Sequence, residues 1–138
     1  MMSLSWTTFL QAAGVTHLLT LVLATRVPIP PDWDANLAKL PPLHRRFALV
    51  QNAYIGATIA ALGLLSLGCA AELASGTPLA RAVCAGIALF WGGRAALLPW
   101  LDVRPSLTNA WLKCGYALLV TECVVYFLGY GWLAVRPL

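Results

Sequence analysis

Charged side chains are scarce in this 138-residue sequence, in which nine Lys or Arg and five Asp or Glu make up 10% of the residues. A soluble globular domain usually has about 25% charged and about 45–50% apolar residues. Here the apolar fraction is 60% and the mean hydropathy is +0.77. So short a chain has too much surface per volume to bury this apolar excess in a water-soluble core. The composition therefore predicts a membrane protein.

Sequence signatures of common enzymes are also missing. The chain contains no GxSxG, no HExxH and no Gly-rich phosphate loop after a strand. Its two histidines are too few for most histidine-rich metal sites, and its four cysteines form no CxxC pair. We therefore expect no cofactor and no metal, and a non-enzymatic role is favoured. Cys69 and Cys84 flank one predicted turn, which leaves two alternatives, a disulfide or small apolar side chains.

Four apolar stretches are each long enough to cross a bilayer, for which a helix needs about 20 residues. They run from about Leu4 to Ala24, from about Phe47 to Ala71, from about Leu79 to Leu98 and from about Ala110 to Leu133. Lipid leaves backbone groups no partner outside the chain, and the alternation of a barrel strand is absent, so each stretch is predicted to be a helix. The predicted fold is all-α, a single domain over residues 1–138 that forms a four-transmembrane-helix bundle.

The connectors between the spans carry clear helix signals. Val27-Pro28-Ile29-Pro30-Pro31 predicts an extended segment, and Trp33, Leu37 and Leu40 then recur at the spacing of a short amphipathic helix on the membrane surface. Pro42 is well placed at the start of the second helix. Thr77 and Pro78 predict a cap and first residue for the third helix, and Ser106 or Thr108 is expected to cap the fourth.

Basic residues are unequally divided between the two ends of the predicted bundle. The 1–2 and 3–4 connectors, with the adjoining helix ends, hold most of them: Arg26, Lys39, Arg45, Arg46, Arg94, Arg104 and Lys113. The opposite side has Arg81 and Arg136. The positive-inside rule predicts a cytoplasmic location for the basic connectors and an outer location for both termini, in an inner or cell membrane. The expected partners are the lipid bilayer and anionic lipid, and nucleic acid is not expected.

Aromatic and small residues give further expectations. Aromatic side chains near the predicted membrane boundaries support the four spans: Trp6, Trp100, Trp111, Tyr130 and Trp132. Small residues let membrane helices approach closely, and they form stripes on three spans. These stripes are Ala53, Gly56, Ala60 and Gly63 on the second span, Ala13, His17, Thr20 and Ala24 on the first, and Gly115, Glu122 and Gly129 on the fourth. We expect them to face other helices.

Glu122, near the middle of the fourth span, is the sharpest functional candidate, because a carboxylate in lipid costs several kcal/mol unless it has a partner. The alternative is a neutral acid that hydrogen-bonds across helices. Arg94 is predicted either to be its counter-ion or to extend toward the headgroups. His17, at similar depth, either hydrogen-bonds Glu122 or Thr20 or relays protons. A bis-histidine haem is disfavoured, since His44 lies at the interface.

A second candidate site lies at the start of the second span. Arg45, Arg46, Gln51 and Asn52, together with Arg94, are predicted to form a basic pocket for an anionic head group. The alternative is an ordinary positively charged helix end. With Tyr54, residues Arg46 and Asn52 loosely resemble the glutathione-binding residues of the membrane-associated eicosanoid and glutathione metabolism family, whose four-helix architecture is similar. The spacing differs and the second span has no Glu, so the resemblance implies shared architecture alone.

Three functional hypotheses follow from these patterns. The first is a non-enzymatic subunit or assembly partner of a larger membrane complex, or a homo-oligomer, because small-residue faces are more numerous than one bundle needs. The second is a small transporter or lipophile-binding protein that uses the intramembrane polar cluster of His17, Asn52, Arg94 and Glu122. The third is a membrane enzyme with the glutathione-transferase-like architecture.

Overall fold

The computed structural model describes residues 5–27 and 31–137, and these residues form helices joined by short connectors. The elements are α1 (Trp6–Ala24), α2 (Trp33–Leu37), α3 (Pro42–Gly68), α4 (Ala70–Ala74), α5 (Pro78–Leu101), a 3-10 turn (Arg104–Ser106) and α6 (Ala110–Val135). Among them, α1, α3, α5 and α6 are long and apolar enough to cross a membrane. The prediction of an all-α fold with four apolar helices is confirmed, and these helices suggest a membrane-embedded protein.

Side-chain caps fix where three of the long helices begin. Ser5 caps α1 by accepting a hydrogen bond from the Thr8 amide at 3.2 Å. Thr77 caps α5 in the same way, at 3.2 Å from the Ala80 amide, and Pro78 is the first helical residue, as predicted. Asn109 caps α6 through the Leu112 amide at 2.9 Å. The prediction of Ser106 or Thr108 as this cap is wrong, because α6 begins at Ala110 and the residue directly before it is Asn109.

Two other boundaries differ from the predicted ones. The second long helix begins at Pro42, as predicted, but ends at Gly68 and not at about Ala71, because the backbone at Cys69 leaves the helical conformation before α4 begins. The amphipathic segment is helical only over Trp33–Leu37, with Leu37 buried and Leu40 41% exposed. The predicted extended segment over residues 28–30, and Leu4 at the start of the first span, lie outside the described residues.

The long helices are arranged as two antiparallel pairs. In the first pair, α1 and α3 touch through glycines: a Cβ atom on Gly14 would lie 2.7 Å from the Gly63 carbonyl oxygen and 2.6 Å from Leu67 Cγ. In the second pair, α5 and α6 approach where Gly92 leaves room for the Phe127 ring. Such close backbone approaches are a main source of packing energy between membrane helices.

Aromatic side chains fill the space between the two pairs. The His17 ring of α1 stacks on Tyr126 of α6, with ring centroids 4.2 Å apart. The Phe9 ring lies against Gly129, where a Cβ would be 2.2 Å from Phe9 Cζ, and edge-on to Tyr130. Tyr130 is fully buried. Its hydroxyl has a partner inside the bundle, Ser66 of α3, and its predicted depth near a membrane boundary stays a prediction.

The start of α1, the end of α6 and the 69–77 connector lie at one end of the bundle, which we call the terminal end. There, Arg81 Nε donates to the Ala134 carbonyl at 2.7 Å, and Arg136 donates to the Ala74 carbonyl while its guanidinium lies 6.0 Å from the Trp6 ring centroid. These bonds satisfy carbonyls at helix C-termini. The opposite end holds the 25–41 and 102–109 connectors, and we call it the basic end.

The glycine contact between α1 and α3 gives a direct stability prediction. Gly14→Ala should lower the free energy of unfolding in detergent by about 1–3 kcal/mol, because the new methyl group overlaps the Gly63 carbonyl, which cannot move away as a side chain can. The matched control is Gly86→Ala on α5, where a Cβ has no heavy atom within 4 Å. Equal thermal unfolding midpoints for the two variants would contradict this packing.

Candidate functional site

Three polar side chains are buried among the described residues: His17 on α1, Ser66 on α3 and Glu122 on α6. Each has a hydrogen-bond partner, as expected in an apolar bundle where water cannot substitute. Together they form a polar core where the two helix pairs meet.

Both ring nitrogens of His17 are engaged. Its Nδ1 lies 2.6 Å from the Ala13 carbonyl oxygen, and Trp91 Nε1 lies 3.0 Å from its Nε2. A carbonyl can only accept and an indole N–H can only donate, so the ring is the neutral tautomer with its proton on Nδ1. The predicted bond to Glu122 or Thr20 is not formed, and a proton relay through His17 would have to break the Trp91 bond.

Two tyrosines complete the polar core. The Tyr126 hydroxyl lies 2.5 Å from Thr16 Oγ1, and the Tyr130 hydroxyl lies 2.5 Å from Ser66 Oγ. These bonds tie α6 to α1 and to α3. Sequence reasoning missed Trp91, Tyr126 and Ser66, although the four-residue spacing of Glu122, Tyr126 and Tyr130 indicates one shared helix face.

Glu122 is held by one hydrogen bond. Its Oε1 accepts from the Thr20 hydroxyl at 2.6 Å, while its buried Oε2 has no partner in residues 5–27 and 31–137. Arg94 makes no ion pair with it within 4.0 Å, and the buried Arg94 Nε likewise lacks a partner within these ranges. The structure thus joins Glu122 to α1 through Thr20 and leaves its expected ion pair with Arg94 unformed.

The residues of the predicted basic pocket do not all converge. Arg45 and Arg46 line an open groove of about 350 Å³ at the basic end, with Ala38, Leu40, Pro42 and Leu49. Gln51 and Asn52 are exposed further along α3, and neither they nor Arg94 lines this groove. The pocket therefore divides into a groove with two arginines and a separate polar surface on α3.

That polar surface continues the buried side of α3. Arg45, Asn52, Ile59 and Ser66 are seven residues apart and so share one side of the helix. Ile59 and Ser66 are buried, but Asn52 and Arg45 are exposed, and a Cβ on neighbouring Gly56 would meet no atom within 4 Å. We call Asn52 and the half-buried Gly56 the open α3 face, because no other described helix covers them.

The cysteines and the remaining titratable groups add no further cluster. All four cysteines are free thiols, so the disulfide between Cys69 and Cys84 is not formed. Cys84 is buried, with its thiol 4.0 Å from the Leu73 carbonyl oxygen. Over the residues that the structure describes, no three His, Cys, Asp or Glu side chains come together as metal ligands.

Comparison of the chain with protein-family models, with curated proteins and with solved structures finds no match.

Trp91→Phe tests the hydrogen bond to His17. Phenylalanine keeps one aromatic ring but loses the N–H donor and some volume, so the unsatisfied His17 Nε2 costs about 1–3 kcal/mol in unfolding free energy and the cavity adds to this loss. Trp100→Phe, at a ring that is 80% exposed, is the control and should change little. Nitrogen-15 NMR should show the Nδ1–H tautomer of His17 in the native protein. Detection of the other tautomer would refute the assignment.

Thr20→Val tests the attachment of Glu122 to α1. Valine matches threonine in shape but cannot donate, so both carboxyl oxygens would be left without a partner and stability should fall by about 1–3 kcal/mol. Thr58→Val is the matched control, because the exposed Thr58 hydroxyl bonds the Tyr54 carbonyl of its own helix at 2.8 Å. Similar denaturation midpoints for the two variants would show that the Thr20 hydrogen bond does not contribute to stability.

Proposed function

We propose that this small membrane protein is a non-enzymatic subunit or assembly partner of a larger membrane complex, and that the open α3 face receives a transmembrane helix of the partner. The observation that carries the proposal is the exposure of this face. Its residues lie on the side of α3 that is buried nearer the terminal end, yet no described helix of the chain covers them.

The chemistry of the open α3 face suits a helix better than lipid. Gly56 offers close backbone approach, and the Asn52 amide has donors and an acceptor that hydrocarbon cannot satisfy. The opposite side of α3 differs: Leu43, Phe47, Val50 and Tyr54 recur every three or four residues and are 52–72% exposed. This apolar side is suited to contact with lipid, whereas the open α3 face is suited to contact with another helix.

The polar core supports a structural role over catalysis. His17 has both nitrogens in hydrogen bonds, and Tyr126 and Tyr130 are bonded to Thr16 and Ser66. These groups hold helices together and leave no free nucleophile or base beside a cavity. The glutathione-transferase-like alternative loses support, because Asn52 and Tyr54 lie on nearly opposite sides of α3 and do not form one site within the chain.

A second candidate function, lipophile binding or transport, is favoured by one observation. Glu122 Oε2 and Arg94 Nε are both buried and unpartnered in the described chain, and a ligand with polar groups would satisfy them. Neither Glu122 nor Arg94 lines the two pockets at the basic end, one around Pro99 and Tyr116 and the other around Arg45 and Arg46, so this candidate ranks below the first.

In the proposed assembly the basic end faces the cytoplasm and both termini lie outside, in an inner or cell membrane. The support is the distribution of charge: the basic end carries Arg26, Lys39, Arg45, Arg46, Arg104 and Lys113, and the terminal end Arg81 and Arg136. The guanidinium groups of the last two are moreover used to bond helix carbonyls.

Photo-crosslinking in native membranes tests the partner helix. A photoreactive amino acid at position 56 should give one defined protein adduct, whereas the same residue at Ala61, on the lipid side of α3, should give none. Gly56→Ile should also release the partner during mild-detergent purification, while Ala61→Ile retains it. Ala61 is exposed and a Cβ at position 56 meets no atom within 4 Å, so we expect both variants to fold, which their circular dichroism spectra and unfolding midpoints check.

The outcomes separate the candidates. Equal adducts at both positions, or a monodisperse monomer without a protein adduct, would overturn the subunit proposal. A monomer that carries one stoichiometric small molecule by mass spectrometry would support lipophile binding instead.

A further inference from the structure

We propose that the groove at the basic end is a binding site for one anionic phospholipid, with the phosphate held by Arg45 and Arg46 and an acyl chain lying along Leu40 and Leu49. We call this cavity the arginine groove. It has a volume of about 350 Å³ and lies between residues 38–40, which follow α2, and the first turns of α3. The site is separate from the open α3 face, because the residues that line the groove lie nearer the basic end of α3 than Asn52 and Gly56.

The two arginines need an anion that the described chain does not supply. Arg45 and Arg46 are exposed, and no Asp or Glu oxygen of residues 5–27 and 31–137 lies within 4.0 Å of either guanidinium. Both arginines line the groove, and the planar donor sets of guanidinium groups match phosphate oxygens well. A phosphate group therefore stabilises this part of α3.

The rest of the lining selects an amphiphile over a free anion. Leu40 and Leu49 are 41% and 45% exposed, and Ala38 and Pro42 complete an apolar surface beside the charges. Inorganic phosphate would leave this surface in contact with water. A phospholipid covers it with its acyl chain and places its head group at the arginines.

The position of the groove along α3 fits the head-group region of a bilayer. Arg45 and Arg46 lie within the first turn and a half of α3, which begins at Pro42. The continuous apolar sequence of this helix begins directly after them, at Phe47. Basic residues immediately beside a membrane span attract anionic lipids. The position of the groove along α3, its positive charge and its apolar lining thus all favour an anionic phospholipid.

Native mass spectrometry of the full chain in detergent tests the proposal with added lipid. Phosphatidylglycerol should remain bound as a single molecule, and phosphatidylcholine should bind much more weakly. Because each basic residue near a lipid surface contributes about 1 kcal/mol, Arg45→Gln/Arg46→Gln should weaken phosphatidylglycerol binding about 30-fold. Arg45→Lys/Arg46→Lys keeps the charge and should retain the preference for the anionic lipid.

Arg26→Gln is the matched control, because Arg26 is an exposed cation of the same connector that does not line the groove. It should bind phosphatidylglycerol like the unmodified protein. Three results would overturn the proposal: equal binding of both lipids, an equal loss in the Arg26 variant, or displacement of the lipid by millimolar inorganic phosphate. The last result would assign the arginines to a free anion.

Discussion

The hydrogen bond from Trp91 to His17 is the interaction on which the arrangement of the bundle most depends. It joins α1 of one helix pair to α5 of the other, and the second His17 nitrogen is used within α1. In an apolar bundle a polar group that slides out of register finds no water to replace its partner. The bond therefore sets which turns of the two pairs face each other, and the Tyr126 ring stacked on His17 fills the space beside it.

The remaining polar contacts repeat this principle at different depths. Thr20 binds Glu122, Thr16 binds Tyr126 and Ser66 binds Tyr130, so hydroxyl groups on α1 and α3 meet polar side chains on α6. At the terminal end, Arg81 and Arg136 donate hydrogen bonds to helix carbonyl oxygens. Van der Waals contact at Gly14 and Gly63 holds the first pair, while hydrogen bonds fix its position against the second pair. Close packing therefore stabilises the first helix pair, and hydrogen bonds determine how the two pairs are positioned.

Sequence reasoning was strongest where a local rule decides the structure. Composition and run length predict the four long helices, and Thr77 followed by Pro78 predicts the start of α5, because capping and proline geometry act over a few residues. The partners of His17, Glu122 and Arg94 were missed or wrong, because several helices present polar groups at similar depth. Which groups meet depends on how the helices rotate and separate, and that depends on the bulk of the aromatic residues between the pairs.

One side of α3 is predicted from its sequence to contact another helix, yet part of this side is exposed. The line from Ser66 through Ile59 and Asn52 to Arg45 is one continuous face, and the bundle covers only its first half. If α1 and α3 stayed in close contact along their whole length, Asn52 would be covered. A Cβ on Gly56, however, would meet no atom within 4 Å. The open α3 face is therefore a consequence of how α1 and α3 pack: their contact is tight at Gly14 and Gly63 and does not extend to Gly56. An amide in hydrocarbon is costly without hydrogen-bond partners, and the proposed partner helix would supply the hydrogen bonds that Asn52 lacks within the described residues.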